Sequence, residues 1–168
     1  EAHSCLAPPI VERLRTTGLC RMALAKEQEG LEVQPAAALD VYETLAHCEA
    51  SASWIVWNNA LPCMLSRFLS PAERAALFAD RSWLYACSTR PSGKAAFEGD
   101  GYRIDGRWSL VSGCTFAEWV LLTCVVEEDA EPGESSRPDA PEVRLAYLRR
   151  GEYEIVETWD AGGLRGTG

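Results

Sequence analysis

The sequence predicts an α+β fold, with an N-terminal helical bundle portion over residues 1–81 and an antiparallel, barrel-like β-domain over residues 82–168. Three observations carry that expectation. Apolar residues recur at helical spacing from Pro35 to Leu65. Beyond Ser82 the period falls to two, in Trp83–Cys87 and again in Tyr102–Asp105, as it does in half-buried strands. Turn chemistry separates the alternating runs, above all at Glu98-Gly99-Asp100-Gly101, where Asp and Gly accept the backbone angles of a tight reversal.

Pro8-Pro9 opens a short helix through Leu14 that Gly18 ends, because proline suits the first helical turn and glycine the left-handed cap. Residues 19–34 are irregular. From Pro35 to Cys48 the residues Leu39, Tyr42, Leu45 and Ala46 share one face. Ser51 or Ser53 is expected to cap the next helix, which runs through Trp54, Val56, Trp57, Leu61 and Leu65 and is apolar on most sides. Pro62 withdraws an amide from that helix, so a kink or break is expected near Asn58–Leu61. Ser70-Pro71-Ala72-Glu73 reads as a capping box with proline at the first helical position, opening a helix through Phe78. Trp119–Val126 is a continuous apolar strand, expected to be buried on both faces. Glu127–Pro141, rich in acids and proline, is expected to be an exposed loop. Val143–Leu148 and Tyr153–Thr158 read as strands joined by a solvated Arg149-Arg150-Gly151 turn.

The net charge of −9 argues against a nucleic-acid partner, which would need basic patches. No apolar run approaches the length of a membrane span. The seven cysteines are scattered singly, without a C-x-x-C pair, so reduced thiols and a cytoplasmic setting are expected. His3 and His47 stand far apart and no ligand spacing appears, so no metal site is expected. His47 sits at a helix end, where a lone histidine is more often a partner of the helix dipole than a base. The chain opens without methionine and stops just after a glycine-rich run, so a piece of a longer polypeptide is expected.

The stretch CSTRPSG (87–93), followed by GYRIDGRWSLVSGC (101–114) and EWVLLTCVV (118–126), resembles the middle β-domain of the acyl-CoA dehydrogenase superfamily. The likeness is nearer to its flavin-dependent monooxygenase branch. ETWDAGGLRGTG (157–168) is similar to a later motif of the same family, W-x-x-x-G-L-R-G-T-G. The resemblance covers roughly residues 35–168 and implies an incomplete acyl-CoA dehydrogenase-like fold, without the C-terminal helical domain. One departure from the dehydrogenases is Thr89-Arg90-Pro91, where they carry Thr-Glu-Pro. Another is Leu110, where they carry tryptophan.

A flavin ring is flat and apolar with hydrogen-bonding atoms along one edge, so its site needs short hydroxyls there and an apolar side chain against a face. The resemblance implies that Cys87, Ser88 and Thr89 line that edge and that Leu110 and Ser112 approach the reactive part of the ring, with FAD or FMN as the cofactor. It further implies that Arg165 lies near the flavin or a partner subunit; a solvated turn arginine is the plainer alternative. Trp54, Trp57, Asn58 and Asn59 would face an aromatic or sugar-like substrate, although a tryptophan pair filling the helix–sheet interface explains the same residues. No catalytic base can be named on the chain; the resemblance sets it in the C-terminal domain.

The expected function is that of a monooxygenase using flavin reduced by a separate reductase to hydroxylate a small substrate, as a homotetramer by resemblance. The alternatives are an acyl-CoA dehydrogenase and a non-catalytic binding or assembly fragment.

Overall fold

The computed structural model describes residues 4–127 and 141–168. Helix α1 (Pro8–Thr17) ends on Gly18 at φ 75°, the left-handed cap read from the sequence. Two 3₁₀ turns follow, at Leu19–Arg21 and Lys26–Gln28. Helix α2 (Pro35–Cys48) lays Ala38, Val41, Tyr42 and Leu45 on the core. Leu39 is 65% exposed, because the packed set follows the i, i+3, i+4, i+7 rule from Ala38, and Leu39 lies about 100° around the helix from it. Helix α3 (Ala50–Leu65) is capped by Glu49, whose carboxylate accepts the Ser51 amide at 2.9 Å, and not by a serine. Helix α4 (Pro71–Leu77) carries the full Ser70/Glu73 capping box.

Helix α3 is the spine of the molecule, with Ile55, Val56, Asn59 and Cys63 almost wholly buried along one side. It runs through Pro62 without a break. The proline removes only the amide that would have met the Asn58 carbonyl, and the Cys87 thiol donates to that carbonyl at 3.6 Å instead. The Pro62 carbonyl in turn accepts the Tyr147 hydroxyl at 2.8 Å.

Strands β1 (Tyr85–Glu98), β2 (Gly101–Gly106), β3 (Trp119–Val126) and β4 (Val143–Arg149) form one sheet in the order β2-β1-β3-β4. The outer pairings are antiparallel, as expected, but β1 and β3 run parallel. The connection over residues 107–118 crosses the sheet and returns the chain in the direction of β1. Tyr153–Thr158 forms no strand; the segment runs irregularly to a bridge between Cys5 and Thr167. The acidic loop expected at 127–141 lies, over 128–140, outside the described residues.

Strand β1 carries a wide bulge. Ser88 pairs with Leu122 and Gly93 with Cys124, so the four residues 89–92 stand opposite Thr123 alone. Pro91 has no amide to give the ladder. Thr123 closes the gap: its hydroxyl donates to the Ser88 carbonyl at 3.1 Å and its own carbonyl accepts Trp108 Nε1–H at 2.8 Å. Gly93 lets that indole cross the sheet, since a Cβ there would lie 1.9 Å from the Trp108 ring.

Arginines join the helical part to the sheet. Arg15 donates to the carbonyls of Ser82 and Phe116, both at 2.9 Å. Arg21, only 2% exposed, donates to the carbonyls of Gln28 and Asp80 and lies over the Phe78 ring. Arg149 and Arg150 are exposed, as expected of a turn pair, but they also make contacts: Arg149 lies near the Trp83 and Trp119 rings and pairs with Glu118, and Arg150 donates to the carbonyls of Cys114, Thr115 and Ala117. Turn carbonyls left without backbone partners attract the guanidinium.

Asn59 provides the tightest junction between helix and strand. Its side chain donates to the Ile55 carbonyl at 2.8 Å and accepts the Tyr85 amide at 2.7 Å, with no exposure to water. The sequence reading turned Asn59 toward a substrate; the structure gives it this buried post instead. Asn59→Ala strands the Tyr85 amide, so a loss of about 3 kcal/mol is expected in urea unfolding. Ser70→Ala, which removes only an exposed cap, should cost about 1 kcal/mol. Burial raises the Cys63 thiol from 9.0 to about 12 and the Cys87 thiol from 9.0 to about 11. Both stay protonated in the fold, while the unfolded chain loses their protons near pH 9.0. Their contribution is therefore complete below that pH and declines as pH rises toward 11. Urea midpoints across this range should fall, and less steeply for Cys87→Ser.

Candidate functional site

The side of α3 opposite its buried stripe carries Trp54, Trp57, Leu61 and Met64 at successive helical turns. Together with the β1 bulge and the start of the crossover loop, they enclose a cleft of about 440 Å³. Cys87, Ser88, Thr89 and Arg90 line it from the strand, and Ser109 and Leu110 from the loop. Of the positions that the sequence singled out, Cys87, Ser88, Thr89 and Leu110 thus face one space, together with Trp54, Trp57 and Asn58, and Ser112 does not.

The tryptophans form a tilted pair, with centroids 4.9 Å apart at 32°. They are 39% and 50% exposed, so they present apolar faces to the cleft and do not fill the helix–sheet interface. Trp54 Nε1–H donates to Ser112 Oγ at 3.0 Å. Ser112 does not line the cleft itself, but this bond ties it to a residue that does. Asn58 is 6% exposed; its Nδ2 donates to the Trp54 carbonyl at 3.0 Å, and its Oδ1 lies 3.5 Å from Cys87 Sγ, where it shares the one thiol hydrogen with the Asn58 carbonyl. One Nδ2 hydrogen of Asn58 therefore stays available for a ligand. Cys87, held protonated by burial, is a packing and donor group and not a nucleophile.

Leu110 adopts φ 60°, a left-handed conformation that costs a branched residue energy, and is 65% exposed. The closing segment braces its loop from behind. Gly113 N–H donates to the Thr167 carbonyl at 3.0 Å, Thr115 Oγ1–H to the Gly168 carbonyl at 3.1 Å, and Gly166 N–H to Ser51 Oγ at 3.2 Å. Arg165 is exposed on that segment and does not line the cleft. His47 is exposed beside Glu43 at the end of α2, away from the site.

Sequence reasoning missed Arg90, Ser109 and Met64 as lining residues. A sign was present for Arg90: Pro91 interrupts a strand, and the resulting bulge carries its neighbour to the cleft. Met64 lies three positions beyond Leu61 on the same stripe as Trp57, but the expected break at Pro62 hid that continuity.

The cleft suits a flat ring system. Its volume falls within the usual ligand range, short hydroxyls of Ser88, Thr89 and Ser109 sit along one side, and Trp57, Leu61 and Leu110 offer apolar faces. An isoalloxazine fits this donor set and shape. Among the described residues, no group of three His, Cys, Asp or Glu side chains is arranged to hold a metal ion. No helix among them is long and apolar enough to cross a membrane.

No family model matches the chain. It is 31% identical over 161 residues to the indole-3-acetate monooxygenase of Pseudomonas putida, a match covering 95% of this chain and 39% of that protein. It is 28% identical to the flavin-dependent monooxygenase, oxygenase subunit HsaA, of Mycobacterium tuberculosis, over 94% of this chain and 38% of that one. Among solved structures, XiaF from Streptomyces sp., in complex with FADH2 and glycerol, matches with a TM-score of 0.85 at 24% identity, over 98% of this chain and 40% of that one. TdsC from Paenibacillus sp. A11-2, with FMN and indole, matches with a TM-score of 0.71 at 22% identity, over 96% of this chain and 42% of that one. The chain spans about two fifths of the length of these relatives. Sequence and fold agree: the chain is similar to one part of proteins named as monooxygenases, and it shares the fold of their solved structures.

Proposed function

We propose that the chain forms the helical and flavin-edge portions of a monooxygenase that uses reduced FMN or FADH2 to hydroxylate a small aromatic substrate. The observation that carries this reading is the single cleft shared by the hydroxyl bulge at Ser88–Thr89, the loop at Ser109–Leu110 and the exposed tryptophan face of α3. Relatives named as monooxygenases and matched structures holding FADH2 or FMN support it. A relative named an oxygenase subunit supports a separate flavin reductase as partner. The same reading divides the chain at residues 81/82, sets the protein in the cytoplasm and assembles it as a homotetramer.

In this reading Ser88 and Thr89 hold the polar edge of the flavin, with Cys87 and Leu110 against it, and Ser112, which stands beside the cleft and not in its lining, reaches the flavin only where the ring extends past Trp54. When bound, reduced flavin supplies the electrons for activating oxygen, one atom of which is transferred to the substrate. The chain's own residues bind, orient and keep the site dry. Because Trp54 donates to the Ser112 oxygen, the Ser112 proton is left to donate to a ligand. Trp54, Trp57, Leu61 and Met64 exclude water, and the free hydrogen of Asn58 orients a substrate oxygen or nitrogen. Among the described residues no carboxylate or histidine lines the cleft, and in this reading a base acting on the substrate comes from outside them.

The test is turnover of the full-length protein with reduced FMN or FADH2, oxygen and an aromatic substrate such as indole. Hydroxylated product is expected. Bleaching of oxidised flavin by an acyl-CoA, without oxygen incorporation, overturns the proposal. Ser112→Ala is expected to weaken flavin binding about tenfold, or to raise the peroxide released per product by a similar factor. Trp57→Ala is expected to raise the substrate KM about tenfold or more with little change in flavin affinity, read by flavin titration.

A further inference from the structure

We propose that Arg90 makes the cleft selective for an aromatic ligand that carries an anionic group, a carboxylate above all, with its guanidinium gripping that group at the mouth; this rests on the cleft being a substrate site. Among the described residues, Arg90 is the one charged side chain that lines the cleft. The surfaces around it, Trp57, Leu61, Met64 and Leu110, offer a ring apolar contact and no counter-charge. Arg15, Arg21, Arg149 and Arg150 are all engaged with carbonyls or carboxylates that fix the fold. Arg90 makes no ion pair among the described residues, in a chain that carries a net charge of −9.

Its presentation is built in. Arg90 stands on the four-residue bulge of β1 that Thr123 and Trp108 anchor from beneath. Pro91 confines the Arg90 backbone to extended conformations, which narrows the arc its side chain can sweep. A guanidinium fork matches a carboxylate with two parallel hydrogen bonds, and a partly dry apolar wall strengthens them relative to water. A ring against the tryptophans and an anion on Arg90 would be recognised together.

The experiment compares naphthoate with naphthamide, a matched acid and neutral amide, by titration calorimetry on the full-length protein. Wild type is expected to bind naphthoate about tenfold more tightly than naphthamide. R90Q should abolish that preference while leaving the naphthamide Kd unchanged, and R90K should keep part of it. Equal binding of acid and amide by wild type, or a preference that survives R90Q, overturns the inference and leaves the aromatic cleft standing. Failure of both probes to bind overturns it together with the reading of the cleft as a substrate site. If R90Q weakens FMN relative to riboflavin and leaves the acid-to-amide ratio unchanged, Arg90 serves the flavin phosphate and the substrate assignment falls.

Discussion

The side-chain amide of Asn59 fixes how the two parts of this chain meet. It lies in the dry interior of α3, bound on one side to its own helix and on the other to the first amide of β1. A buried amide hydrogen without a partner is costly, so helix and strand hold one relative register. Every element of the cleft inherits its position from that register. Trp54, Trp57 and Asn58 lie within about one and a half turns of Asn59, and Cys87 through Arg90 follow soon after Tyr85. The neighbouring contact between Asn58 and Cys87 repeats the same junction two residues along the strand.

The division of labour around α3 follows from this. One side of the helix is buried and fixes the fold; on the other, Trp54, Trp57 and Met64 stay exposed. A helix apolar on most sides is normally a core helix. Here the second apolar stripe forms the wall of a cleft whose other wall is polar, an asymmetry suited to a ligand with a flat face and a hydrogen-bonding edge.

What could be read from the sequence followed from local chemistry. The caps of α1 and α4, the β1–β2 hairpin and the change of period near residue 82 depend on residues close in sequence, and the structure contains each of them. The convergence of positions 87–89 and 110 was accessible only through resemblance, because nothing local forces two loops 20 residues apart to meet. The parallel pairing of β1 with β3, the clamps made by Arg149 and Arg150 and the inward turn of Asn59 were not accessible. Each is settled by partners far along the chain. An alternating or charged stretch looks the same whether its neighbour runs parallel or antiparallel, or whether a distant turn leaves a carbonyl unpaired.

The crossover over residues 107–118 has two duties at once. It lays β3 parallel to β1, and its first half brings Ser109 and Leu110 to the cleft, with Ser112 beside it on Trp54. Parallel partners cannot join through a tight turn, so the connection must come down before the middle of the sheet closes. The wall of the cleft and the middle of the sheet therefore depend on the same connection. Shortening or lengthening this loop to alter ligand choice would disturb the architecture itself, whereas the bulge at 89–92, spanned from below by one threonine, can change its side chains while the strands on either side stay in step.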